Sequence, residues 1–179
     1  MSTGSAILWI NRSLLLLMLV SGVSLHTQAQ VHLKQAGITV SLPNQEWKLY
    51  DEKESAKSYI CVFKRTPFTD TAGHEIIPNI AVISEEVDSS MDVVTYSIRL
   101  RNKTGFNVTH TLTSTDLKCS CKNLIAYRGT YADRKGFSHT IYIIYIIKNN
   151  VGIQIVLDTT TDLFPKCDKE FRKFMKSIT

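Results

Sequence analysis

The side chains able to do chemistry are few: His32, His74, His110 and His139, with the thiols Cys61, Cys119, Cys121 and Cys167. Zinc sites favour Cys-x-x-Cys or His-x-x-x-His because two donors on one turn or helix face pre-form half of the tetrahedron. None of these histidines stands in such a frame, and a fifth, His26, belongs to the N-terminal segment. Cys119-x-Cys121 alone could place two thiolates on one strand face and recruit a histidine, against the simpler reading of disulfides or buried thiols. A serine hydrolase would need a nucleophile and a base. Serines and His139 are present without a Gly-x-Ser-x-Gly elbow, although triads also assemble from distant residues. Glu85, Glu86 and Asp88 lack the spacing of a calcium loop and read as a solvated strand end. The expectation is therefore a protein that is not an enzyme, with no catalytic or metal residue and no cofactor.

Arg12 precedes the apolar run from Leu14 to Val20, and Thr27-Gln28-Ala29 offers the small residues a signal peptidase reads. This predicts a cleavable signal peptide over 1–29 and one domain over 30–179. The apolar run is too short to cross about 30 Å of hydrocarbon. Ala29 and Gln30 stand where a lipobox would carry its cysteine, so no stable membrane anchor is expected after cleavage, and the location is periplasmic or secreted. Without Arg12 the 21 basic side chains become 20 against 16 acidic ones, a net charge of +4. They are dispersed in ones and twos, which excludes the clustered stripe of a nucleic-acid binder. All four cysteines lie in the exported part, where disulfides persist. On an extended strand Cys119 and Cys121 would sit about 6.5–7 Å apart at Cα, a strained pair. Full oxidation would then join them to Cys61 and Cys167; one bridge with a free Cys167 is the alternative.

The residues from Phe137 to Ile147 form a nearly unbroken apolar, β-branched and aromatic run, which implies a strand buried on both faces. Strands are predicted over 37–42, 57–68, 76–87, 106–115, 124–131, 137–148 and 151–158, with hairpin joints at 132–136 and at Asn149-Asn150. Trp47 is placed in a turn. From Thr161 or Asp162 as N-cap, Phe164, Cys167, Phe171, Phe174, Met175 and Ile178 recur at helical spacing and predict a helix covering one side of the sheet. Between Ser89 and Gly105, strand alternation competes with the capping pattern Ser89-Ser90-Met91-Asp92, and the cap favours helix. That helix has two apolar stripes. If Met91, Val94 and Ile98 pack on the sheet, then Val93, Tyr96 and Leu100 face outward, flanked by Arg99 and Arg101. Tyrosine and arginine around an aliphatic centre is a hot-spot composition, which makes this stripe the expected partner face.

Gly37-Ile38-Thr39-Val40-Ser41-Leu42-Pro43 with Trp47 nearby, a mid-chain helix, a run of antiparallel strands and the ending Phe174-Met175-Lys176-Ser177-Ile178 resemble, in that order, the PsbP-like superfamily. It includes the extrinsic PsbP subunit of photosystem II, a nuclear Ran-binding import factor and DcrB-type bacterial envelope proteins. The resemblance implies an α+β fold, an antiparallel sheet of about six to seven strands flanked by helices in an α/β/α sandwich. It also implies a binding or assembly factor rather than a catalyst. The expected function is an exported soluble protein that docks another protein. The alternatives are a small-molecule or metal-binding envelope protein and, third, a hydrolase without a recognisable motif.

Overall fold

The computed structural model describes residues 30–33 and 37–179; the expected signal peptide lies outside the described residues. Seven antiparallel strands form the main sheet in the order β3-β4-β7-β11-β10-β9-β8. They are β3 (Trp47–Glu54), β4 (Ser58–Arg65), β7 (Asn79–Glu86), β8 (Asn107–Thr113), β9 (Leu124–Ala132), β10 (Ser138–Lys148) and β11 (Val151–Thr160). Helix α3 (Phe164–Lys176) covers one face, and α1 (Val93–Arg101) covers part of the other. Two small hairpins, β1 (Gln30–Leu33) with β2 (Ile38–Ser41) and β5 (Phe68–Thr69) with β6 (Glu75–Ile76), lie outside the main sheet, and a short helix α2 (Ser114–Leu117) follows β8.

The apolar run in β10 is buried from Thr140 through Ile146, because β10 is next to the sheet's centre and has a helix on each side. Asn149 and Asn150, both at positive φ (54° and 59°), close the β10–β11 hairpin as a two-residue turn whose twist matches the strands. Gly136, at φ 86°, lets the β9–β10 turn close.

On the α3 face, Phe164, Cys167, Phe171, Phe174 and Met175 of the helix meet Phe63, Ile80, Val82, Tyr142, Ile144, Ile153 and Ile155 of the sheet. The β1–β2 hairpin adds Leu33, Ile38 and Val40, and Thr39 exchanges backbone hydrogen bonds with Thr179 at 3.3 and 3.2 Å. The N-cap of α3 is Leu163, with no side-chain bond, rather than Thr161 or Asp162. Pro165 in the first turn sets the helix entry instead.

Three elements depart from expectation. Trp47 opens a full strand, β3, whose remaining residues Lys-Leu-Tyr-Asp-Glu-Lys-Glu carry no apolar period because the strand lies at the sheet edge. The stretch before Gly37 supplies β1. Helix α2 forms on a reciprocal capping box between Thr113 and Asp116, and Lys118 ends it in the left-handed region. Cys119 and Cys121 therefore lie in a loop before β9 and not on a strand. A bulge interrupts each edge strand, between Leu49 and Asp51 in β3 and between Val108 and His110 in β8. Such bulges blunt edge-to-edge pairing.

Glu170 of α3 ties the helix to the first strands. Its carboxylate accepts from Arg65 Nε and Nη2 at 3.0 and 3.2 Å, Trp47 Nε1 at 2.7 Å and Asn44 Nδ2 at 3.0 Å. Burial pushes this carboxyl's pKa up, but the bonds from Arg65, Trp47 and Asn44 outweigh it, and the net shift is downward. A depressed folded pKa contributes stability above the unfolded value, about 4.3, that is lost as pH falls through the folded pKa. Glu170→Gln is expected to lower Tm at pH 7 and to flatten the acid limb of a Tm-versus-pH curve; thermal melts between neutral pH and pH 3 check it.

Candidate functional site: the uncovered half of the sheet

Helix α1 begins at Asp92, whose Oδ1 accepts from Val94 N and Thr95 N at 2.8 and 2.9 Å. The helix is present as expected, with its cap displaced from Ser89 and its orientation reversed. Tyr96 is 1% exposed and packs edge-on against Tyr145 at 6.0 Å, with Val93, Leu100 and Met91 beside it. Val94 and Ile98 are 50% and 43% exposed. The partner face expected from Val93, Tyr96 and Leu100 is thus core. The larger aromatic stripe removes more apolar area from water, and Gly152 on β11 leaves the slot that the tyrosine ring fills: a Cβ there would lie 2.6 Å from Tyr96 Cε2. Of the flanking arginines, Arg99 pairs with Glu85 at 2.7 Å and Arg101 lies over the Tyr127 ring at 5.0 Å.

Being short, α1 packs mainly on β9 and β10 and, through Tyr96, on Gly152 of β11, with Arg99 reaching the end of β7 at Glu85. Rows of cross-strand neighbours on its face run Lys48–Lys64–Asn79–Asp158–Ile141, Val62–Ala81–Val156–Ile143 and Ile60–Ile83–Gln154–Tyr145. Ile141, Ile143 and Tyr145, under the helix, are buried; Val156, Ala81, Val62 and Ile83 are half-buried, and Ile60 is 39% exposed. The same strands on the opposite face carry Cys61, Phe63, Ile80 and Val82 at 1% exposure or less. β4 and β7 are therefore sealed on one face and open on the other, and the open face is aliphatic.

One end of this half-face is polar. His139 Nδ1 lies 2.9 Å from Asp158 Oδ1, Tyr131 Oη donates to Asp158 Oδ2 at 2.9 Å, and the tyrosine and histidine rings stack at 4.9 Å. Burial, then the charge of Asp158, pushes the Tyr131 phenol up. An ionised carboxylate only accepts, so the proton of a neutral His139 sits on Nδ1. Nε2, the atom that would activate a nucleophile, faces Asp133 Oδ2 at 3.8 Å. The Asp–His pair thus meets a second carboxylate where a hydrolase needs a hydroxyl. His32, His74 and His110 contact Thr39, Asp70 and Thr109 respectively, and His74 also meets the Phe137 ring edge-on at 5.7 Å. Among the described residues, no three His, Cys, Asp or Glu side chains converge as a metal site.

No family model matches the chain, and no curated protein matches it. Solved structures do. The chain is similar to LpqN, involved in cell envelope biogenesis of Mycobacterium tuberculosis, at 17% identity over 86% of this chain and 90% of that one, with TM-score 0.56. It is similar to the PsbP (CyanoP) of Synechocystis sp. PCC 6803 at 12% identity over 89% and 95%, with TM-score 0.50. The chain has the PsbP-like fold. A Bacteroides thetaiotaomicron protein matches at 8% identity and TM-score 0.50 over 87% of this chain and 48% of its own length, so the PsbP-like unit spans about half of that protein.

Within the PsbP-like fold the four cysteines are free thiols, against the expected bridges. Cys61 on β4 and Cys167 on α3 are buried in the core between sheet and helix, and burial pushes each thiol up to about 11. Cys119 and Cys121 are half-buried in the loop after α2, where they pack against the same core; burial raises both. A buried thiol with a raised pKa reacts slowly, since the thiolate is the nucleophile. Reduced, folded protein is expected to release colour from Ellman's reagent only at Cys119 and Cys121, and from all four thiols in denaturant. Fast native labelling of Cys61 or Cys167 would contradict that placement.

Proposed function

We propose that this chain is an exported binding or assembly factor, not a catalyst, and that it docks another protein on the open half of its sheet. The observation that carries this reading is the asymmetry of β4 and β7, whose aliphatic residues are sealed on the α3 face and uncovered on the other. Contiguous apolar surface on a small protein is ordinarily an interaction site. Export is supported by the N-terminal Arg12 and Leu14 to Val20 pattern and by the role of LpqN, of the same fold, in cell envelope biogenesis.

The test places a photo-crosslinking residue at position 83 in the chain expressed in its host, with position 135, in the exposed β9–β10 turn, as control. A defined protein adduct at 83 and not at 135 is expected. The Ile60→Ser, Ile83→Ser double variant should keep its Tm within a few degrees, as substitutions outside the core do. It should reduce captured partner by about tenfold or more, the loss typical of removing hot-spot contacts. Unchanged capture, or unfolding of the variant, would show that this surface is not the docking site.

A further inference from the structure

At the rim of the open half-face two like charges oppose each other: Lys48 on β3 pairs in register with Lys64 on β4. Such pairs destabilise a sheet, and neither ammonium is ion-paired among the described residues. The acids of this face are all engaged, Asp51 by Lys53 at 3.2 Å, Glu85 by Arg99 at 2.7 Å and Asp158 by His139 at 2.9 Å. Among the described residues Lys64 meets only the ring of Tyr50, whose centroid lies 3.2 Å from its Nζ, and Tyr50 is itself 66% exposed. Two uncompensated cations therefore stand beside the aliphatic row Val62–Ala81–Val156.

Resting on the docking reading above, we infer that the occupant is a polypeptide segment carrying carboxylates that reach Lys48 and Lys64, beside aliphatic side chains that lie on Val62 and Ile83. Neighbouring strands are about 4.8 Å apart, so one carboxylate, or two spaced along an extended segment, spans both ammonium groups. An anionic bilayer fits less well, because only two uncompensated lysines stand here, whereas recognition of anionic lipid headgroups takes a cluster of about four to eight basic side chains.

The probes are an acetylated heptapeptide, Val-Glu-Val-Asp-Val-Glu-Val, its Gln/Asn counterpart, and vesicles of equimolar phosphatidylglycerol and phosphatidylcholine, each titrated into the purified protein at low salt. The acidic peptide is expected to bind about tenfold tighter than the amide peptide, a difference of one decade in Kd, and to lose that advantage in high salt. Lys48→Gln with Lys64→Gln should abolish the preference without lowering Tm, since it removes a like-charge pair, and Lys48→Glu with Lys64→Glu should transfer it to a Val/Lys heptapeptide. Equal binding of the acidic and amide peptides, with Ile83→Ser weakening both, would overturn the acidic preference and leave the docking reading standing. Failure of both peptides to bind, or vesicle binding with the same lysine dependence, would overturn the inference itself. The docking reading falls separately, on loss of the position-83 crosslink.

Discussion

Phe171→Ala is expected to lower the unfolding free energy by about 3–5 kcal/mol, the range for removing a buried phenylalanine ring. The ring is fully buried at the middle of α3's sheet-facing stripe, 6.0 Å from Trp47 and 6.3 Å from Phe164 between ring centroids. Its neighbours cannot collapse into the space. Trp47 is held by its Nε1 bond to Glu170, one residue away on the same helix, and the sheet residues beneath are fixed by their ladders. The lost contacts would thus leave a cavity rather than be replaced. A domain of this size is stable by about 5–15 kcal/mol in all, so the variant should melt far below the parent. Chemical denaturation at 25 °C measures the difference; a loss under about 1 kcal/mol would mean that α3 is not seated on the sheet as described.

The sequence made some of this legible and left some of it hidden, for physical reasons. Strand β10 was readable because a central strand covered on both sides needs apolar residues at every position, and α3 because Phe164, Cys167, Phe171 and Phe174 repeat at the helical period. Strand β3 was not: beyond Trp47 its residues meet solvent at the edge of the sheet, so no hydrophobic period forms. The loop at Cys119 and Cys121 was hidden by the unrecognised helix α2, whose signal was the Thr113 and Asp116 box. The open half-face did leave a trace. Ile80-Ala81-Val82-Ile83 reads as a strand apolar on both faces, yet the described residues supply only one long amphipathic helix, and α1 with nine residues is too short to span the second face. The orientation of α1 could not be read locally, because the feature that decides it, the missing side chain at Gly152, lies more than fifty residues along the chain.

That dependence on Gly152 leads to the second large effect. Gly152→Val is expected to destabilise the protein by about 3 kcal/mol, combining overpacking with partial loss of Tyr96 burial. A Cβ at this position would lie 2.6 Å from both Cε2 and Cζ of Tyr96 and 2.9 Å from its hydroxyl. The ring has little room to give way: Tyr145 meets it edge-on at 6.0 Å, and Arg99, held by Glu85, lies over it at 5.3 Å. The remaining relief is for α1 to lift, which would expose Ile143 and Tyr145 and extend the open half-face across the sheet. A double-mutant cycle separates this from a general cost of replacing glycine in a strand. Tyr96→Ala removes the clashing ring, so Gly152→Val should cost much less in the Tyr96→Ala background than in the parent, with a coupling of about 1–3 kcal/mol between the two sites. Strict additivity would place the cost in the strand itself and remove the argument that a glycine in β11 sets which stripe of α1 faces the sheet.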